Sequence, residues 1–328
     1  MGKRGMDLHT HTNVSDGVLS PEELIAKAIG NGFKVLAITD HNCLLPDFAK
    51  YRRLAAPYLQ LIRGTEVGCV YTLSTGTIAN LHVVVLIPNA ERDITPLEEL
   101  LNKNGPEVRK AYINRMLDAL RKVGCDLGNY ENLCEYLGVD YIGKSQVVQG
   151  MVKCGFVKDE QEGLDLYVGD FGEKRAWVPK DNRIELEELI HIVHQIRGIP
   201  ILAHLYYYGL TEEENQEVLA AFRSLAGAIG CMETDYGPYT EEQRASLREY
   251  AKEYDLMESA GSDFHGVYGE DNLDELFGGE KFDVMMQRWD EFYRIPGKYW
   301  GIDDGKIYPI PALEECELEL IGKECEDE

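Results

Sequence analysis

No run of apolar residues in this chain is long enough to span a bilayer, which excludes a membrane-spanning helix. No apolar segment of signal-peptide type precedes the first strand-like run, so a cytoplasmic protein is expected. Cys-x-x-Cys is also missing. The eight cysteines (Cys43, Cys69, Cys125, Cys134, Cys154, Cys231, Cys316 and Cys325) are scattered, and Cys43, Cys69 and Cys231 lie in or beside apolar strand-like segments. They read as reduced thiols rather than disulfides or a thiolate metal site. Basic residues are scarce, 33 against 58 acidic, for a net charge of −25. Such a surface repels phosphodiester backbones and excludes long duplex nucleic acid as a partner. The acids cluster on solvated faces such as 212–214 and in a tail over 314–328 that is expected to be partly disordered. The chain has no internal repeat and no low-complexity linker, and no Cys or Ser sits in a nucleophile-activating motif. The composition still supports a substantial core, with 44% apolar residues in 328.

What is present is a series of metal-ligand residues. His9 and His11 open it, with Asp16 five residues on, followed by Thr39-Asp40-His41, Gly64-Thr65-Glu66, His82, Ala203-His204 and Gly261-Ser262-Asp263-Phe264-His265. Each ends, or nearly ends, a short apolar run that reads as a strand, and six of the eight histidines belong to the series. Side chains at the C-terminal ends of barrel strands point into one mouth, which is how a barrel builds a multi-metal site. Residues i and i+2 of a strand face the same way, so His9 with His11, and Asp263 with His265, can each meet one ion. Neutral imidazole suits Zn, Mn and Fe, and carboxylates can bridge ions.

Strand and helix patterns alternate around these residues. Ser20 with Glu23 forms a capping box opening a helix that closes near Gly32. Residues 35–39 read as a buried strand, 47–58 as a helix, and 59–62 as a strand leading to Glu66. A hairpin turns near Thr75-Gly76, and 81–88 is the next strand. Helices are expected over 186–197, 211–226 and 240–254, separating strands at 200–205, 229–234 and 258–262. Seven strands with intervening helices predict an α/β barrel rather than an open sheet. Residues 96–184 break the alternation. They are helical over 96–123 with a break near 104–106, and again over 145–154 and 160–168.

The ordered set HTH…D, TDH, GTE, H, AH and GSDFHG resembles the PHP (polymerase and histidinol phosphatase) family of metal-dependent phosphoesterases, over about residues 6–90 and 185–270. The resemblance implies a distorted seven-stranded (β/α) barrel in two parts, 1–95 and 185–295. A helical lid, 96–184, would be inserted over the C-terminal mouth, and an acidic extension, 296–328, would follow. It implies two or three divalent or trivalent ions (Mn, Fe or Zn). One would sit on His9, His11, Glu66 and Asp263; a second would share Glu66 and add His82 and His204; a third would take Asp16, His41 and His265. The nucleophile would be a metal-bridging water acting as hydroxide, with no separate protein nucleophile. Asp at position 16 resembles the stand-alone phosphoesterase branch more than the histidinol phosphatases.

In that branch the segment matching 141–146 commonly holds an arginine and a histidine, where this chain has Lys144 and Gln146. Lysine is a point charge without arginine's bidentate fork. Lys144, with Lys180, is a candidate phosphate contact, and Tyr206, in the run Tyr206-Tyr207-Tyr208, a candidate base or ring contact. The expected substrate is a small phosphorylated metabolite, a nucleotide or nucleoside bisphosphate, or the end of a short oligonucleotide. The alternatives are a histidinol-phosphate-type phosphatase and a catalytically silent metal- or nucleotide-binding module. His191 and His194 lie outside the strand-end pattern and read as structural, while Glu233 ends a strand and can support a ligating histidine.

Overall fold

A computed structural model describes residues 5–169, 172–180, 182–266, 273, 277–294, 299–301 and 307–309. Strand β1 (Gly5–Asp7) leads to helix α1 (Pro21–Gly30), where the expected capping box forms: the Ser20 hydroxyl accepts the Glu23 N–H and Glu23 accepts the Ser20 N–H. β2 (Phe33–Ile38), α2 (Phe48–Ala55), β3 (Gln60–Thr72) and β4 (Ile78–Ile87) follow. Gly76, at φ +83°, supplies the turn that folds β3 and β4 into a hairpin. Helices α3 (Thr95–Leu101), α4 (Pro106–Lys122), α5 (Tyr130–Leu137), α6 (Lys144–Lys153) and α7 (Glu160–Gly163) come next, the last continued by a π-helical turn over Leu164–Val168. The chain then runs through α8 (Leu186–Gln195), β5 (Ile199–Leu202), α9 (Glu212–Ala226), β6 (Cys231–Tyr236), α10 (Glu241–Glu253), β7 (Met257–Gly261), β8 (Phe277–Gly278) and α11 (Glu280–Arg294).

The strands form one sheet in the order β7-β6-β5-β4-β3-β2-β1-β8. It nearly closes on itself. The Leu8 N–H donates to the Ala260 carbonyl at 3.1 Å, and the Asp263 N–H to the His9 carbonyl at 2.9 Å, so β7 meets β1. The architecture is the expected α/β barrel, with eight strands rather than seven because two-residue β8 pairs antiparallel with β1. β4 runs antiparallel to both of its neighbours, which is the distortion. This corrects one detail of the strand-end reading: Glu66 and His82 lie in the middle of a long hairpin, where Gly68 pairs with His82 and Glu66 with Val84. Among the described residues no helix is long and apolar enough to cross a membrane.

An interior cluster includes Ile62, Val84, Leu86, Ile201 and Cys231. Glu66, His82 and Glu233 continue those same faces at even spacing, so the polar site stands on an apolar barrel core. α11 closes the opposite end. The Trp289 indole donates to the Arg197 carbonyl at 2.7 Å and the Tyr293 hydroxyl to that of Gly198 at 3.1 Å, just before β5. α3 packs its Leu97, Leu100 and Leu101 with α8 on the outer side of the barrel. α4 to α6 and the following chain instead share a separate core, with Ile113, Met116, Leu133, Ile142, Val147 and Met151 at its centre. The chain rejoins the barrel where the Val70 N–H donates to the Ile184 carbonyl at 2.8 Å. The proposed tail over 314–328, with Cys316 and Cys325, lies outside the described residues; the other six cysteines are free thiols.

Candidate metal centre

Six imidazoles and three carboxylates converge at one end of the barrel. His9, His11, Glu66 and Asp263 form one group, His11, Asp16, His41 and His265 a second, and His41, Glu66 and His82 a third, with the ligand atoms of each group within 4.8 Å of one another. His204 joins through Nε2, 3.0 Å from Glu66 Oε1. Glu66 is the hub: Oε1 also lies 2.8 Å from His82 Nδ1, and Oε2 lies 2.8 Å from His41 Nδ1 and 3.4 Å from His11 Nε2. Asp16 reaches His265 Nε2 at 3.3 Å and His41 Nε2 at 3.6 Å. Asp263 Oδ1 reaches His11 Nε2 at 3.1 Å and His9 Nε2 at 3.4 Å.

Local backbone sets these positions. His204 and Asp263 have φ of +27° and +55°, values that non-glycine residues rarely adopt and that cost about 1–3 kcal/mol each. The turn at Asp263 separates two residues that simple strand alternation would pair: Asp263 joins His9 and His11, while His265 joins Asp16. Gly261 permits the closure, since a Cβ there would collide with His9 Cβ.

A layer of polar residues holds the candidate ligands. His9 Nδ1 lies 2.7 Å from Glu233 Oε1, and Glu233 Oε2 accepts the His204 N–H at 2.8 Å. The Tyr236 hydroxyl donates to Asp263 Oδ2 at 2.8 Å. Asp40 accepts the Thr12 N–H, the Thr12 hydroxyl and the Ser15 hydroxyl at 2.7–2.8 Å, tying the Asp16 loop to the His41 loop. The sequence reading did not find Tyr236 or this use of Asp40; the only local signal was an acid adjoining a ligand.

The site's electrostatics suit cations. Burial, with the charges of His265 and His41, pushes His11 down to about 3, so it stays neutral, the form that binds metal. Burial opposes charge on His41 and His265, but Asp16 and Glu66 outweigh it at His41 and raise it to about 9, and Asp263 and Asp16 raise His265 to about 10. Protons here do work that cations can take over. The fit also rests on orphaned atoms: apart from their approaches to one another within the cluster, His9 Nε2, both ring nitrogens of His11, Asp16 Oδ1, Glu66 Oε2 and Asp263 Oδ1 are buried without hydrogen-bond partners. Buried polar atoms are rarely left so. A set of nitrogen and oxygen donors fits Mn, Fe or Zn.

None of the remaining candidates is a member of the donor groups. Lys144 is the first residue of α6, and Gln146 caps that helix, its Oε1 accepting the Gly143 N–H at 2.9 Å. Lys180 Nζ lies 5.8 Å from the Tyr112 ring centroid. The Tyr206 N–H donates to the Tyr239 hydroxyl at 2.9 Å, and Tyr207, beside His204, is 60% exposed. His194 bonds the Leu225 carbonyl through Nε2 at 3.1 Å, and neither it nor His191 joins a donor group.

A PHP domain model matches residues 7–261. The chain is 28% identical over 286 residues to a 5'-3' exoribonuclease of Haemophilus influenzae, covering 87% of this chain and 98% of that protein. It is 26% identical over 269 residues to a 3',5'-nucleoside bisphosphate phosphatase of Chromobacterium violaceum, covering 79% and 87%. A solved amidohydrolase from Chromobacterium violaceum, with sulfate bound and no metal, shares the fold at a TM-score of 0.71 and 24% identity, covering 87% of this chain and 96% of that one. A domain match across most of the chain, on a nearly closed barrel with histidines and acids gathered at one end, establishes that this chain belongs to the PHP family.

Proposed function

We propose that the chain is a cytoplasmic metal-dependent phosphoesterase that hydrolyses a phosphate ester of a nucleotide or small phosphorylated metabolite. A nucleoside bisphosphate or the 5' end of a short RNA is the favoured form. The observation that carries this reading is Glu66, buried and in reach of five imidazoles. The names of the two relatives, an exoribonuclease and a bisphosphate phosphatase, support the nucleotide class.

In this proposal His9, His11, Glu66 and Asp263 hold one ion, Glu66 with His82 and His204 a second, and Asp16, His41 and His265 a third. When bound, such ions offset phosphate charge and lower the pKa of water towards neutrality, which supplies both the electrophile and the nucleophile. Glu233 accepts the Nδ1 proton of His9 and leaves Nε2 facing the site. Tyr236 holds Asp263 by its second oxygen. The inserted segment 96–184 acts as a lid, with Lys144 and Lys180 meeting phosphate charge. Tyr206, with exposed Tyr207 beside it, offers an aromatic surface to a base.

The test uses His9→Ala and Asp263→Ala. Both variants should lose metal by elemental analysis and lose hydrolysis of a nucleotide panel, while their circular dichroism stays that of the parent. Full metal content in both would overturn the assignment.

A further inference from the structure

Gly68 lies inside β3, two residues past Glu66 and on the same face of the strand. A glycine within a strand weakens it and marks a bulge, a bend or the close approach of another group. Neither backbone reason applies here. Gly68 pairs with His82 in unbroken register, and its φ is outside the left-handed region. Packing does not demand a glycine either. The nearest atoms to a Cβ at Gly68 would be Asn42 Nδ2, His82 Cδ2 and His82 Nε2, each at 3.9 Å, whereas a Cβ at Gly261 would meet His9 Cβ at 2.4 Å. The missing side chain leaves a niche next to the donor cluster, with Gly68 as its floor and Asn42 and His82 as its walls.

Asn42, the residue after His41, is held rigidly in that wall. Its φ is +51°, a value asparagine tolerates, its N–H donates to the Glu66 carbonyl at 2.8 Å, and its Oδ1 accepts the Gly68 N–H at 3.1 Å. With Oδ1 engaged, Nδ2 is the amide atom that borders the niche, and among the described residues no acceptor meets it. All three residues are half-buried, and 38% of the His82 side chain is exposed where Glu66 is fully buried. Solvent therefore reaches a fixed N–H donor beside the cluster. A donor fixed in advance binds an oxygen without reorganisation.

We propose that Asn42 contacts substrate, its Nδ2 donating to a nonbridging oxygen of the scissile phosphate seated over Gly68. The proposal rests on the phosphoesterase reading, which brings that phosphate to the donor cluster.

The test is titration calorimetry of inorganic phosphate into manganese-loaded parent, Asn42→Asp and Gly68→Ala. Asn42→Asp keeps the acceptor for the Gly68 N–H and replaces the Nδ2 donor with an acceptor. Gly68→Ala adds no charge and puts a methyl where the oxygen would sit, in ordinary contact with its neighbours. Both variants should keep their manganese by elemental analysis and bind phosphate roughly ten- to a hundredfold more weakly, the scale of a hydrogen bond to a charged group. KM for AMP and for p-nitrophenyl phosphate should rise in parallel, because both present the same phosphate. Weaker binding in Asn42→Asp alone would be charge repulsion, and in Gly68→Ala alone lost room without a part for the amide; either overturns the proposal, as does unchanged binding in both. Loss of manganese would make Asn42 and Gly68 braces for the donor residues, and a rise in KM for AMP alone would place the contact on the leaving group; these overturn it too. If the parent hydrolyses neither ester, the phosphoesterase reading fails, and the phosphate titration still decides Asn42: the expected pattern supports it, and undetectable binding by the parent overturns it.

Discussion

Glu233 holds two candidate ligands at once, and its position explains why. One oxygen takes the His9 ring proton and the other takes the backbone N–H of His204, which sits at a strained φ. The carboxylate fixes the His9 tautomer and offsets part of the cost of bending the chain at His204. Glu233→Gln keeps the shape and one acceptor but turns the second position into a donor that faces the His204 N–H. We expect metal affinity to fall by about ten- to a hundredfold, the range for residues that orient a ligand. Equilibrium dialysis measures the affinity. A drop in the melting temperature of the metal-free protein with unchanged metal affinity would make Glu233 a purely structural residue.

Among the elements, three of the helices that the sequence announces begin with an S/T-x-x-E/Q box. Ser20 with Glu23, Thr211 with Glu214, and Thr240 with Gln243 all form reciprocal caps. α5 escaped because Asn129 and Asn132 cap each other and only Leu133 in it is buried. α11 shows a helical stripe of Phe282, Met285, Trp289 and Phe292, but what that stripe covers, the barrel floor, is set by residues nearly a hundred positions away. The donor residues were readable because histidines and acids recur after apolar runs. Their convergence depends on sheet closure, which no local pattern encodes. α8 gives a test at this scale. Burial, opposed by the bond to the Leu225 carbonyl, pushes His194 from 6.5 down to about 4. Between those values the unfolded chain binds the extra proton, so stability is full above pH 6.5 and is lost as pH falls towards 4. His194→Gln can still donate to Leu225 but does not titrate. Urea melts at pH 7 and 4.5 should show the parent losing about 2–3 kcal/mol more than the variant. Equal losses would mean that His194 charges without cost.

In the whole molecule, the insert and the barrel have separate apolar clusters, and this makes the insert separable. The insert's apolar cluster is its own, whereas α3 belongs to the barrel. The two ends of the insert also lie together: the Asn182 side-chain amide donates to the Lys103 carbonyl at 3.3 Å, and Lys103 pairs with Glu188 on α8. A short Gly/Ser linker replacing residues 105–180 therefore spans a small gap and leaves the barrel interior and all nine donor residues in place. The net charge of −25 argues that binding energy for an anion must come from local cations, and the insert carries Arg109, Lys144 and Lys180. We expect the linker variant to fold, to keep its metal, and to hydrolyse p-nitrophenyl phosphate within a few-fold of the parent. Its KM for nucleotides should rise about tenfold or more, because a small reporter draws little of the lid's binding energy and a nucleotide draws much of it. Steady-state kinetics on both substrates, with elemental analysis of the same samples, measures the difference. A parallel rise for both would show that the insert shapes the metal centre rather than the substrate's grip.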